Sequence, residues 1–342
     1  MKIFMLSPYG SGYLAMDWDD YIDRAMRGHE EWMYGVAAEL VKMEHQVTVY
    51  MHRSMKPVVK QDGFVIRGWD KEHFEKTSDK NSLVYLHTGG LEKDTKWPSR
   101  GIISYYDWNT ETDPFPIPDT WKVMAFSEWH KNYIIGNYPE AKDNVYRVYL
   151  GCDEKWRAPI SETPRKMICV ASASPDRSWE GLVRVWTKIN KAVPRARCYI
   201  TYVGNTFPEA IPDGMVILGA LKQQEVHDLL AQTRLILYNM DAEHRETFCI
   251  GVYKAQACGV VPVVNRQSAL PEVVKHGIVC DNDDEFVEAT VSLLTDDSRW
   301  FNLHREAIND KYRTWRHVAE DMMKLWMYDG SGKLKLGSLC LN

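Results

Sequence analysis

A chain of 342 residues with 45% hydrophobic and 26% charged residues and a formal net charge of -5 has the balance of a globular protein. Its length exceeds what one core usually holds, which predicts two domains of about 150 residues each, and the negative charge supplies no overall footprint for nucleic acid. The seven cysteines, Cys152, Cys169, Cys198, Cys249, Cys258, Cys280 and Cys340, never stand as Cys-x-x-Cys. They read as reduced thiols of a cytoplasmic protein, with neither a disulfide framework nor a zinc site. No apolar run approaches the length of a membrane span, so any membrane contact would be peripheral.

Met1 to Leu6 is too short for the apolar core of a signal peptide and reads as a first strand. The loop after it, Pro8 to Tyr13, carries Gly10 and Gly12, which let a ligand approach the backbone closely, although it is not the Gly-x-Gly-x-x-Gly dinucleotide fingerprint. From Glu30 to Met43, the residues Met33, Val36, Ala37, Leu40 and Val41 share one helical face, and Gln46 to Tyr50 follows as a strand, the start of a βαβ unit. Short apolar runs follow at 64–66, 83–86, 102–106 and 123–126. The last three lead into His87-Thr88-Gly89-Gly90, Asp107-Trp108-Asn109 and Ser127-Glu128-Trp129-His130. In a parallel sheet such carboxyl ends form the ligand-binding edge. Any one of these polar groups reads most simply as a cap or a satisfied loop residue; three at successive strand ends point to a site.

Val145 to Leu150 closes this half, and the polar stretch 154–166, with Pro159 and Pro164, reads as a linker. The pattern restarts with a strand at 167–171, a loop from Ser172 to Ser178 and a helix from about Trp179 to Ala192. Residues 199–204, 216–219 and 235–238 read as strands and 225–232 as a helix. The tail is helical in pattern over 283–294 and 300–328, with Trp315, Val318, Met322, Leu325 and Trp326 at interior spacing, and residues beyond 329 read as frayed.

The chemistry concentrates in the stretch from Arg245 to Val264. Glu246 and Thr247 open it, small and apolar residues follow at helical spacing, Gly259 stops the helix, and a β-branched run completes a loop, helix, turn and buried strand. A helix starting near Phe248 would aim backbone N–H groups and the positive end of its dipole at whatever lies beside Glu246, which suits a phosphate. Glu246 would then reach the polar group attached to that phosphate. On this stretch alone, an ordinary αβ unit whose acidic residue favours a helix N-terminus explains the residues equally well.

The order of elements and this stretch resemble the retaining glycosyltransferases of the GT-B fold, family 4, also called glycosyl transferases group 1. The residues that carry the likeness are Gly28-His29-Glu30-Glu31 with Val36 to Leu40, His45 to Val49, Tyr149 to Asp153, Val203-Gly204-Asn205, Leu218-Gly219, and Glu246-Thr247-Phe248 with Ala257 to Val263. The resemblance implies an α/β chain of two Rossmann-like domains facing each other across a cleft: an N-terminal acceptor-binding domain (1–153), a linker (154–166), a C-terminal nucleotide-sugar-binding domain (167–312), a C-terminal helix bridging both (313–328) and a tail (329–342). It implies a hexosyltransferase that uses a nucleotide-sugar as substrate, with no metal or other cofactor, and a glycan, lipid or other small molecule as acceptor. Glu246 matches the first acidic residue of the family's Glu-x7-Glu motif, which contacts hydroxyls of the donor sugar, and Arg177 matches the cation that meets the donor diphosphate. Gly10, Gly12, Ser174, Gly204, Thr247, Phe248, Cys249, Ile250 and Lys254 complete the expected donor-binding set, while His87 and Asp107 are the expected catalytic residues of the N-terminal domain.

Departures from the pattern bear on function. The second acidic position of the motif is Lys254, where a carboxylate would accept from both ribose hydroxyls and an ammonium can only donate. The family's second diphosphate cation is Ser172, and its active-site His falls at Tyr106. An Asp-x-Asp at Asp17-Trp18-Asp19 lies in the first connection of the chain and reads as a surface loop, not a metal site; the acidic run from Asp281 to Glu285 reads as a helix start. A nucleotide-sugar epimerase of the same fold and a degenerate, non-catalytic sugar-nucleotide or partner-binding module are the alternatives, the latter favoured by Lys254 and Ser172.

Overall fold

The structure is a computed structural model and describes residues 1–7, 28–51, 59–61, 63–87, 94–104, 120–159, 161, 163–172, 175–201 and 211–330. Two compact units divide the chain: the first gathers the described residues of 1–7, 29–151 and 313–330, the second 28 and 152–312.

In the first unit, β1 (Lys2–Leu6), β2 (Gln46–Met51), β3 (Val59–Gln61), β4 (Phe64–Gly68), β5 (Leu83–His87), β6 (Gly101–Ser104), β7 (Lys122–Ala125) and β8 (Val145–Arg147) form one sheet in the order β3-β4-β2-β1-β5-β6-β7-β8. The pairings are parallel except that of β3 with β4. Every residue of β5 is buried, as expected of a central parallel strand covered on both faces. The helix Gly28–Lys42 buries Met33, Val36, Ala37 and Leu40 of the face its spacing predicts, with Trp32 buried beside them and Val41 only half-buried, and a fully buried side chain of this size contributes about 2 kcal/mol. The sequence pattern does not reveal the helices Lys71–Thr77 and Glu128–Asn137, whose starts are capped by Asp70 and Ser127. β8 is three residues shorter than the apolar run suggests, ending at Arg147.

The helical pattern expected over 300–328 is two helices, Asp297–Asn309 and Trp315–Met327. They separate where Asp310 turns to accept from the Lys275 ammonium at 3.0 Å and Arg313 turns inward to pair with Asp321 at 2.7 Å, both side chains almost fully buried. Losing one partner of such a pair strands a charge in the interior. The last helix is grouped with the first unit. Trp315 lies so close to the helix Gly28–Lys42 that a Cβ on Gly35 would sit 2.2 Å from its ring, so this packing requires glycine at position 35.

In the second unit, β9 (Ile168–Ala171), β10 (Arg197–Ile200), β11 (Met215–Ile217), β12 (Leu235–Tyr238), β13 (Val261–Asn265) and β14 (Ile278–Cys280) form a wholly parallel sheet in the order β11-β10-β9-β12-β13-β14. Its core joins Leu182, Val185, Trp186 and Ile189 of the helix Pro175–Ala192 to Phe286 and Leu293 of the helix Asp283–Thr295. The described residues of 154–166 belong to this unit: Trp156 is fully buried, and Arg165 donates to the carbonyls of Leu230, Thr233 and Cys258. In the acidic run, Asn282 caps the helix Asp283–Thr295 by accepting from the Glu285 N–H at 3.0 Å.

Candidate functional site

In the second sheet the strand order reverses between β9 and β12, and in an open α/β sheet ligands bind outside the carboxyl ends of the strands at such a point. Arg177 follows β9 and Glu246 follows β12. Their side chains meet: Arg177 Nη1 lies 3.5 Å from Glu246 Oε2, with the arginine 29% and the glutamate 14% exposed. A cation and a carboxylate that both stay partly open to solvent can exchange each other for a charged ligand at little cost.

Local structure explains the convergence. The helix carrying Arg177 begins at Pro175, one turn earlier than its apolar spacing indicates, because proline at the first helical position is pre-set for the helix and lacks only an N–H that would be orphaned anyway. Arg177 therefore sits in the first turn of a helix and not in a loop. That helix is fastened to the chain leaving β12: the Asp241 N–H donates to the Arg177 carbonyl at 2.9 Å, the Gly181 N–H donates to Asp241 Oδ1 at 3.0 Å, and Asn239 Nδ2 donates to the Gly181 carbonyl at 3.0 Å. A Cβ on Gly181 would lie 2.5 Å from the Asn239 carbonyl oxygen, so glycine permits the approach. Burial raises the Asp241 carboxyl above its ordinary range, partly offset by the Gly181 N–H and Arg184.

The Glu246 backbone is pinned from the chain that follows β13, where the Ala269 N–H donates to the Glu246 carbonyl at 3.1 Å. Two non-glycine residues in left-handed conformation flank this arrangement, Ser268 at φ 49 and Cys249 at φ 70, a costly backbone state that is commonest at functional sites. Cys249 is the N-cap of the helix Ile250–Ala257, so the helix starts two residues later than the sequence suggests. Phe248 is buried, its ring 5.3 Å from that of Tyr253, and Ile250 is buried as well. Thr247 and Cys249 keep some surface, while the Cys249 thiol is pushed well up by its enclosed surroundings and by the Glu246 charge. Ser172, which follows β9, is exposed beside Gly251 in the first turn of this helix, its hydroxyl 3.0 Å from where a Cβ on that glycine would stand.

The Lys254 ammonium rests over the Trp156 ring at 4.6 Å, a cation–π contact with the segment read as a linker. Tyr238, Asn239 and Asp241 are site residues that sequence reasoning misses. Tyr238 ends β12 and donates its hydroxyl to Glu246 Oε2 at 3.0 Å; the one signal in the sequence is a phenol closing an otherwise aliphatic strand.

In the first unit, His87 ends β5, next to β1, where that sheet's order reverses. It is 2% exposed. Its Nδ1 lies 3.1 Å from both the Tyr85 hydroxyl and the Ser104 hydroxyl, and Tyr85 and Ser104 also bond to each other. The His29 ring stacks on it at 5.8 Å, with Trp32 and Phe126 also against it. Burial, reinforced by His29 and His130, holds the His87 pKa well below its ordinary value. Gly10, Gly12, Asp17, Asp19, Tyr106, Asp107, Ser174 and Gly204 lie outside the described residues. Among the described residues, no helix is long and apolar enough to cross a membrane.

Doubly wound, mainly parallel sheets in both units are the architecture of the GT-B fold. Residues 164–296, all within the second unit, match the family described as glycosyl transferases group 1. Among curated proteins the chain is similar to N-acetyl-alpha-D-glucosaminyl L-malate synthase of Bacillus anthracis, 30% identical over 118 residues, and to a subunit of the phosphatidylinositol N-acetylglucosaminyltransferase of Homo sapiens, 27% identical over 120 residues. The match covers 32% and 33% of this chain, and the chain spans only 30% and 24% of the lengths of those relatives. Among solved structures, WaaG, a glycosyltransferase involved in lipopolysaccharide biosynthesis, is similar over 96% of this chain and 100% of its own, at TM-score 0.69 and 11% identity. Sucrose-phosphate synthase from Thermosynechococcus elongatus follows at TM-score 0.71 and 11% identity over 95% and 98% of the two chains. Anabaena HepE in complex with UDP-glucose aligns at TM-score 0.63 and 12% identity over 95% and 97%.

Proposed function

We propose that the chain is a glycosyltransferase that moves a sugar from a nucleotide-sugar to an acceptor, with retention of anomeric configuration and without a metal. The observation that carries the reading is the meeting of Arg177 with Glu246 at the switch point, beside the N-terminus of the helix Ile250–Ala257. As the bond from the anomeric carbon to the phosphate oxygen breaks, negative charge grows on the diphosphate. A guanidinium and backbone N–H groups fixed in advance stabilise that charge. Glu246 accepts from hydroxyls of the transferred sugar, and Arg177 neutralises it until the donor binds. His87 lies on the acceptor side, and the acceptor is a glycan, a lipid or another small molecule met by a cytoplasmic protein. HepE is described with UDP-glucose, and both curated relatives are named for N-acetylglucosaminyl groups. UDP-glucose and UDP-N-acetylglucosamine are therefore the first donors to test.

A second reading, a sugar-nucleotide-binding module without turnover, is favoured by Lys254 resting on Trp156 where the motif has its second carboxylate. Donor hydrolysis and transfer, measured with a chelator present, separate the two. Turnover is expected to persist in the chelator. Binding without turnover supports the second reading, and turnover that the chelator abolishes and manganese restores removes the metal-independent mechanism.

A further inference from the structure

Glu246 stands on an irregular loop, yet a carboxylate that recognises a sugar must present a particular oxygen in a particular direction. Its two oxygens have different surroundings. Oε2 receives the Tyr238 hydroxyl at 3.0 Å and faces Arg177 at 3.5 Å, whereas Oε1 receives no hydrogen bond among the described residues. We infer that Tyr238 is a positioning residue for Glu246: its phenol fixes Oε2 and so presents Oε1 to the donor sugar.

The strand explains how a phenol comes to this place. Side chains alternate across a strand, and Leu235 and Leu237 enter the core formed with the helix Pro175–Ala192. Tyr238 therefore projects from the opposite face, at the carboxyl end of β12, where the chain toward Glu246 departs. It is 4% exposed, and among the described residues its hydroxyl bonds to Glu246 alone. Phenylalanine would fill the same space with no polar group to satisfy, so the hydroxyl serves the carboxylate and not the packing. Burial first, and the neighbouring Glu246 charge second, push the phenol well above its ordinary range. It consequently remains protonated and able to donate. Arg177 can leave Oε2 for a diphosphate when the donor binds, and the Tyr238 bond then holds the carboxylate in place.

This inference rests on the reading of the site as a donor-sugar site, and Tyr238→Phe tests it. The variant is expected to melt about 3–5 °C below the wild type and to bind nucleoside diphosphate within about twofold of it. With the nucleotide-sugar, its kcat/KM is expected to fall roughly 10- to 100-fold. A double-mutant cycle of unfolding with Tyr238→Phe and Glu246→Gln, which needs no activity, is expected to depart from additivity by roughly tenfold in the equilibrium constant. Additivity within twofold overturns the contact. Equal losses for donor and bare nucleotide, or kinetics unchanged from wild type, overturn the positioning role alone. Wild-type protein that binds no nucleotide-sugar overturns the functional reading, and the positioning role with it.

Discussion

The two sheets reverse their strand order at equivalent places and put a polar group at each, yet they build those places in opposite ways. In the second unit the groups are charged and reach the surface: Arg177 and Glu246 pair loosely and are held by backbone ties, a proline-started helix and two left-handed residues. In the first unit the group is neutral and sealed: His87 shares a network with Tyr85 and Ser104 under three aromatic or imidazole rings. A charged pair that solvent can reach is able to exchange its partner for a ligand, while burial holds the His87 ring neutral. The difference predicts that substitutions in the second unit act on turnover with little change in stability, whereas those in the first lower stability as well.

The largest effect is expected at Arg177. Its replacement by alanine should lower turnover by roughly 100- to 1000-fold, the usual cost of one transition-state contact, while the melting temperature hardly moves, because exposed pairs contribute about 0–1 kcal/mol. Steady-state kinetics beside a melting curve check both halves. Next is His87→Ala, which empties a packed site and removes the bonds of Nδ1 to the Tyr85 and Ser104 hydroxyls. A loss of about 3 kcal/mol is expected by urea unfolding, together with transfer damaged more than donor binding. An unchanged midpoint would mean that the first unit's switch point is not sealed as described.

The same histidine makes stability depend on pH. Its folded pKa lies below the unfolded value of about 6.5, so below that pH the unfolded chain binds more protons than the folded one. The His87 contribution is fully present above pH ~6.5 and is lost as pH falls toward the folded value, at up to about 1.4 kcal/mol per pH unit. His87→Gln should flatten that part of the profile. The smallest effect is expected at Lys254, where exchange for glutamate removes a cation–π contact of about 0.5–1 kcal/mol and leaves the ranking of ribo- and 2′-deoxyribonucleoside diphosphates unchanged in competition binding. A changed ranking would return Lys254 to the nucleoside.

Elements with strong periodicity are legible in the sequence: β12 can be read to the residue, and the buried face of the helix Gly28–Lys42 follows from its spacing. Short helices set by caps are not, because Asp70 and Ser127 declare themselves only once the backbone turns back onto them. At the site, Glu246 and Arg177 are legible through the family motifs they match. The helix starts are not, since one depends on proline geometry at Pro175 and the other on a left-handed Cys249 that no propensity favours. By sequence Lys254 either faces the nucleoside or is solvated; its resting place on Trp156 joins residues nearly a hundred positions apart, a long-range fact with no local signature.

That the second unit grips the sugar through Glu246 and the diphosphate through other groups is tested most directly by calorimetric titration of Glu246→Gln and wild type with a nucleoside diphosphate and with the matching nucleotide-sugar, alongside turnover. Affinity for the bare nucleotide is expected to stay unchanged while turnover falls by a factor of roughly a hundred or more. An equal loss of affinity for the bare nucleotide, or turnover that survives the exchange, would contradict this division of roles.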